Sequence, residues 1–65
     1  MAKKITTRER AGNDLTWEVE IVGSVLTILA AHGGGRSYVT AMQAEFAGAL
    51  VKALTDALEQ WRDNR

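Results

Sequence analysis

The sequence predicts an all-α fold, an antiparallel helical hairpin that dimerises into a four-helix bundle. The helices are predicted by two segments, 15–29 and 38–62, in each of which apolar residues recur at three- and four-residue steps. The glycine run 33–35 predicts the turn between them. The 65 residues therefore form one domain, with helix 1 at 14–32, a turn at 33–36 and helix 2 at 37–62.

The N-terminal segment 1–12 precedes the predicted hairpin and is basic. Thr6-Thr7-Arg8-Glu9 fits a capping box, which would start the first helix near Thr7 and make this segment a helix extension. The alternative is a basic arm that lies outside the helical core. The sequence is compatible with both a helix extension and a basic arm.

The first helix, 14–32, rests on a choice between two periods. Leu15, Trp17, Val19 and Ile21 alternate with polar residues, which is the period of a strand. A heptad seam continues past that stretch and consists of Leu15, Val19, Val22, Leu26 and Leu29. The longer periodicity and the glycine stop favour a helix, and a strand at 15–22 is the alternative.

A second apolar stripe on helix 1 predicts an intermolecular contact. The stripe consists of Trp17, Ile21, Val25 and Ile28, and the partner helix of the hairpin can cover only one of the two stripes. On helix 2, small residues that include Ala44 and Gly48 share one side and would allow another backbone to approach closely. A chain of this size buries only about 60% of its unfolded surface, so we expect a homodimer or a protein partner.

Composition argues against catalysis and against tightly bound cofactors. Eight basic and eight acidic residues cancel, cysteine is absent and His32 is the sole histidine, so neither a metal site nor a catalytic base with its nucleophile is expected. No cofactor is expected either. The polar start and the absence of a run of about 20 apolar residues predict a cytoplasmic protein without a membrane span.

The basic N-terminal segment is a candidate nucleic-acid contact, because cationic side chains can lie along a phosphate backbone. Its sequence Lys3-Lys4-Ile5-Thr6-Thr7-Arg8 resembles the short strand that opens ribbon-helix-helix repressors, and Gly35-Arg36-Ser37 is similar to their interhelical turn. The resemblance implies DNA binding by strands from two subunits. The candidate contacts are Lys3, Lys4, Thr6, Arg8 and Arg10.

A second resemblance concerns the whole chain. Its size, its basic start followed by the segment 8–14, and its predicted hairpin resemble small two-helix bacteriophage proteins that disable host proteins, such as anti-activators of quorum-sensing transcription factors. That resemblance implies a non-enzymatic dimer that occludes a host regulator or a motor ATPase by surface binding. Any aromatic residue left at a helix end or at a dimer edge would be a candidate anchor, and the aromatic residues are Trp17, Tyr38, Phe46 and Trp61.

Overall fold

The fold is an antiparallel sheet with one helix on one face, so the all-α prediction is wrong. The computed structural model describes residues 3–63. Within them the elements are β1 Lys4–Gly12, β2 Leu15–Val22, β3 Val25–His32, β4 Gly35–Tyr38, a 3-10 turn Ala44–Phe46 and helix α1 Ala47–Asp63. The predicted helical hairpin and four-helix bundle are both corrected by this architecture, because the segment predicted as helix 1 forms β2 and β3.

The sheet is a meander whose strand order follows the chain, β1-β2-β3-β4. Three two-residue turns separate the strands, and they fall ten residues apart at Asn13-Asp14, Gly23-Ser24 and Gly33-Gly34. Gly23 and Gly33 have φ angles of 64° and 58°, the left-handed region that tight hairpin turns require. The glycine run predicted to link two helices therefore closes a hairpin of two strands.

β2 is central and explains why the alternating period prevails over the heptad seam. It pairs with β1 on one side and β3 on the other, with Thr7↔Val19 and Val19↔Ile28 in register. Trp17, Val19 and Ile21 point to the same face and are 3%, 0% and 2% exposed. A helix would have separated these three side chains, whereas the strand buries all of them together under α1.

Helix α1 covers β1 and β2 with a face of large and small side chains, in which Leu50, Ala53 and Ala57 are buried. The two alanines allow α1 to approach the sheet closely. At this contact the Thr7 hydroxyl donates a hydrogen bond to the Ala53 carbonyl oxygen at 2.7 Å. The indole Nε1–H of Trp17 donates to the Phe46 carbonyl oxygen at 2.8 Å, which anchors the start of the helix.

Two further predicted boundaries are corrected. Residues 37–46, predicted as the first turns of helix 2, instead form the end of β4, an irregular connection and the 3-10 turn. The capping box predicted at 6–9 lies inside β1, so the N-terminal segment is not a helix extension. Met1 and Ala2 of that segment lie outside the described residues. No helix within residues 3–63 has the length and apolar character needed to cross a membrane.

Candidate functional site

The sheet has one face that α1 does not cover, which we call the open face. Side chains alternate along each strand, and the inward set is fixed by the core residues of β2. The other set forms the open face: Lys4, Thr6, Arg8, Arg10, Thr16, Glu18, Glu20, Val22, Val25, Thr27, Leu29, Ala31, Arg36 and Tyr38.

Strand register arranges these side chains in rows across the sheet. One row of four runs Arg10–Thr16–Ala31–Arg36, and the next runs Arg8–Glu18–Leu29–Tyr38. Neighbouring strands lie about 4.8 Å apart, so a row of four spans roughly 14 Å, and successive rows are about 7 Å apart. The open face is therefore a platform with arginines at both ends of one row and an arginine and a tyrosine at the ends of the other.

Charge is distributed unevenly although the whole chain is neutral. On the open face of the described residues, four cationic side chains, Lys4, Arg8, Arg10 and Arg36, stand against the two carboxylates Glu18 and Glu20. The 3-10 turn and α1 hold an excess of acidic residues: Glu45, Asp56, Glu59 and Asp63 against Lys52 and Arg62. The two sides of the domain thus carry opposite charge.

Glu18 is the buried charge of the open face, with a side chain only 4% exposed. Arg8 on β1 donates from Nε to one carboxylate oxygen at 2.7 Å, and Arg36 on β4 donates from Nη1 to the other at 3.4 Å. The two guanidinium-bearing side chains remain 60% and 57% exposed. One carboxylate therefore connects two exposed cations that come from opposite edges of the sheet.

The remaining cations are more loosely held. Lys4 forms a 3.4 Å ion pair with Glu20, whose side chain is 21% exposed. Arg10 donates to the backbone carbonyl oxygens of Gly12 and Asn13 at the first turn. Both acceptors are neutral, so neither of them offsets the positive charge of Arg10.

Tyr38 gives the open face an aromatic surface. It is 74% exposed and lies opposite Leu29 at the end of β4. The sequence indicates Tyr38 only as one of four aromatic residues that could serve as anchors, and it does not indicate that this ring shares a row with Arg8 and Glu18. Arg36 is not among the predicted nucleic-acid contacts, because only the pairing of β4 with β3 places it on the open face together with β1.

The structure also locates the residues predicted as a dimer or partner interface. Trp17 and Ile21 lie in the core beneath α1, Val25 is 66% exposed at the second hairpin, and Ile28 is half-buried on the helix side of β3. Ala44 and Gly48 are exposed in the 3-10 turn and in α1. The apolar stripe on 17–28 is thus divided between the core and the surface.

The candidate nucleic-acid contacts, unlike the predicted dimer interface, lie on one side of the sheet. Lys4, Thr6, Arg8 and Arg10 alternate along β1 and lie on the open face, and the exposed Lys3 immediately precedes that strand. β1 pairs with β2 of its own chain, unlike the intersubunit ribbon that the ribbon-helix-helix resemblance implies.

A histidine and a serine lie close together near the third turn. His32 Nε2 lies 3.3 Å from Ser37 Oγ, and both residues are exposed at the end of the β3–β4 hairpin. Within residues 3–63, no group of three or more histidine, cysteine or acidic side chains is placed to hold a metal ion.

Comparison with protein-family models, with curated proteins and with solved structures returned no match for this chain.

Proposed function

We propose that this protein is a non-enzymatic module that binds single-stranded nucleic acid on the open face of its sheet. The observation that carries the proposal is the cationic excess on an uncovered sheet face beside the exposed ring of Tyr38. Proteins that bind single strands combine a basic surface that follows the phosphates with aromatic side chains on which bases stack. The open face offers both within two adjacent rows.

The width of the sheet favours a single strand over a duplex. The major groove of B-DNA is about 12 Å wide and admits a helix or a two-stranded ribbon. Four paired strands span roughly 14 Å between their outer backbones, so the open face cannot enter that groove. A single strand can lie across the rows, with its phosphates near the arginines and a base against Tyr38.

A salt titration of binding tests this proposal directly. We expect fluorescence anisotropy to show binding of labelled 20-nucleotide oligo(dT) at low salt, with weaker binding of a 20-base-pair duplex. With at most four phosphates neutralised, the slope of log K against log salt should not exceed about 3 in magnitude for a single strand. Arg10→Ala should lower the affinity and reduce the slope by roughly 0.7.

Lys52→Ala is the matched control, because Lys52 is a cation of α1 paired with Asp56 at 3.4 Å and with Glu9 at 3.9 Å. Its loss changes the net charge equally but removes no charge from the open face. We expect its salt slope to equal that of the unaltered chain. Absence of oligonucleotide binding at low salt, or equal losses for Lys52→Ala and Arg10→Ala, would contradict the proposal.

A second candidate function, association with another protein or with a second copy of the chain, is favoured by the β2–β3 hairpin. Val22 and Val25, which are 45% and 66% exposed, are paired neighbours on the open face beside its turn, and Leu26 next to them is 38% exposed on the opposite face. Exposed aliphatic side chains that cluster at one point are typical of contact surfaces. This candidate retains the expectation of a homodimer that inhibits a host protein target.

Sedimentation of the unaltered chain and of Val25→Glu tests this candidate. We expect a dimer that the substitution converts to a monomer. Val51→Glu, at a position 60% exposed on α1, is the matched control and should leave the dimer intact. If the unaltered chain stays monomeric at about 100 μM, any self-association is weaker than roughly 5.5 kcal/mol, and this candidate is excluded.

A further inference from the structure

Glu18 is an unusual residue to find on a cationic binding surface. Carboxylates are rarely buried unless they are paired, and this one is 4% exposed on the sheet face that no helix covers. Its two oxygens are bound by guanidinium groups from β1 and β4. By charge alone, a carboxylate at this position repels a phosphate and weakens binding.

The hydrogen-bond geometry indicates a different effect. Arg8 engages Glu18 through Nε, so the fork formed by its two Nη atoms can still donate to a phosphate. Arg36 engages Glu18 through one Nη atom and is likewise more than half exposed. A long arginine side chain loses considerable rotamer freedom when it binds a ligand, and a carboxylate that already restrains it reduces that loss.

We infer that Glu18 is a positioning residue that holds the guanidinium groups of Arg8 and Arg36 as a preorganised pair for the phosphates of a bound single strand. This inference rests on the proposed function of the open face. Glu18 thereby joins two flexible cations, on strands at opposite edges of the sheet, into one site. The positioning effect and the charge effect of Glu18 on binding have opposite signs, which makes them separable.

Glu18→Gln and Glu20→Gln form the decisive pair of variants. Glu20 is the next open-face residue of β2, and its carboxylate pairs with Lys4 alone among the described salt bridges. Both substitutions remove one negative charge from the same strand and preserve side-chain size. With oligo(dT) at fixed salt, we expect Glu20→Gln to bind as tightly as the unaltered chain or more tightly. We expect Glu18→Gln to bind about 5- to 10-fold more weakly, a loss in the range of one ordinary hydrogen bond.

A spectroscopic readout separates positioning from a general loss of structure. In ¹⁵N–¹H spectra, the Nε–H of Arg8 should exchange slowly in the unaltered chain and in Glu20→Gln, and rapidly in Glu18→Gln. Circular dichroism reports whether each variant is folded. If Glu18→Gln does not fold, Glu18→Asp retains the charge but is one methylene too short to hold both guanidinium groups, and it should also bind more weakly.

The outcomes distinguish the two proposals. No binding of oligo(dT) by the unaltered chain overturns the proposed function and this inference with it. Binding by the unaltered chain, with Glu18→Gln as tight as Glu20→Gln or with folded Glu18→Asp unchanged, overturns the positioning role alone. A rapidly exchanging Arg8 Nε–H in the unaltered chain overturns it as well.

Discussion

Replacing Val19 by alanine should destabilise the domain far more than the same replacement of Val25. Val19 is 0% exposed at the centre of β2, whereas Val25 is 66% exposed at the start of β3. Removing two buried methyl groups costs about 1.6 kcal/mol in transfer free energy, and the cavity left behind raises the total to about 2–3 kcal/mol. A chain of this length has a total stability of only about 3–10 kcal/mol.

Urea unfolding followed by tryptophan fluorescence and circular dichroism measures this difference. With a slope near 1 kcal/mol per molar urea, Val19→Ala should lower the midpoint by about 2–3 M. Val25→Ala, measured at a concentration at which sedimentation shows a monomer, is the matched control, because it loses the same strand propensity, at most about 1 kcal/mol, without leaving a cavity. Equal midpoint shifts for the two variants would refute the assignment of Val19 to the core beneath α1.

Three further predictions concern a turn, the open face and the end of α1. Gly33→Ala should destabilise the chain by about 1–2 kcal/mol because Gly33 has a positive φ, whereas Gly34→Ala in the same turn should be nearly neutral. Thermal melts of the two variants measure this difference, and equal shifts in melting temperature would contradict it. Tyr38→Ala should weaken oligo(dT) binding by about 1–3 kcal/mol and leave the melting temperature nearly unchanged, whereas Tyr38→Phe should retain binding. A loss of binding in both variants would exclude base stacking on the ring. Trp61→Phe removes the 2.7 Å hydrogen bond from the indole to the Gly23 carbonyl oxygen. Amide hydrogen exchange should therefore accelerate in the last turn of α1, and the exchange rate of the Leu50 amide should stay the same.

The strand alternative at 15–22 contained the right structure for β2, but the heptad seam outweighed it. Five apolar residues with four- and three-residue steps arise here from two strands, with Leu15 and Val19 on the inner face and the exposed Val22 on the outer one. A helical period that spans a hairpin turn is accidental. The signal that identifies the turn is the dipeptide Gly23-Ser24, flanked by β-branched residues and ten residues from the next glycine turn.

The candidate site shows a similar division. The alternation of Lys4, Thr6, Arg8 and Arg10 is visible in the sequence, and their common face follows once β1 is a strand. The pairing of Glu18 with Arg36, eighteen residues later in the chain, is not visible there. It depends on β4 folding back along β3, which no local pattern specifies.

Local spacing of residues is enough to predict the apolar face of α1, the turn at Gly33 and the basic character of the N-terminal segment. Contacts between distant residues are needed to show that 15–32 forms two strands, that the chain's own helix covers Trp17 and Ile21, and that Glu18 joins two arginines. A strand acquires its hydrogen bonds from residues distant in sequence, so its stability is settled only when its neighbours on both sides are in place.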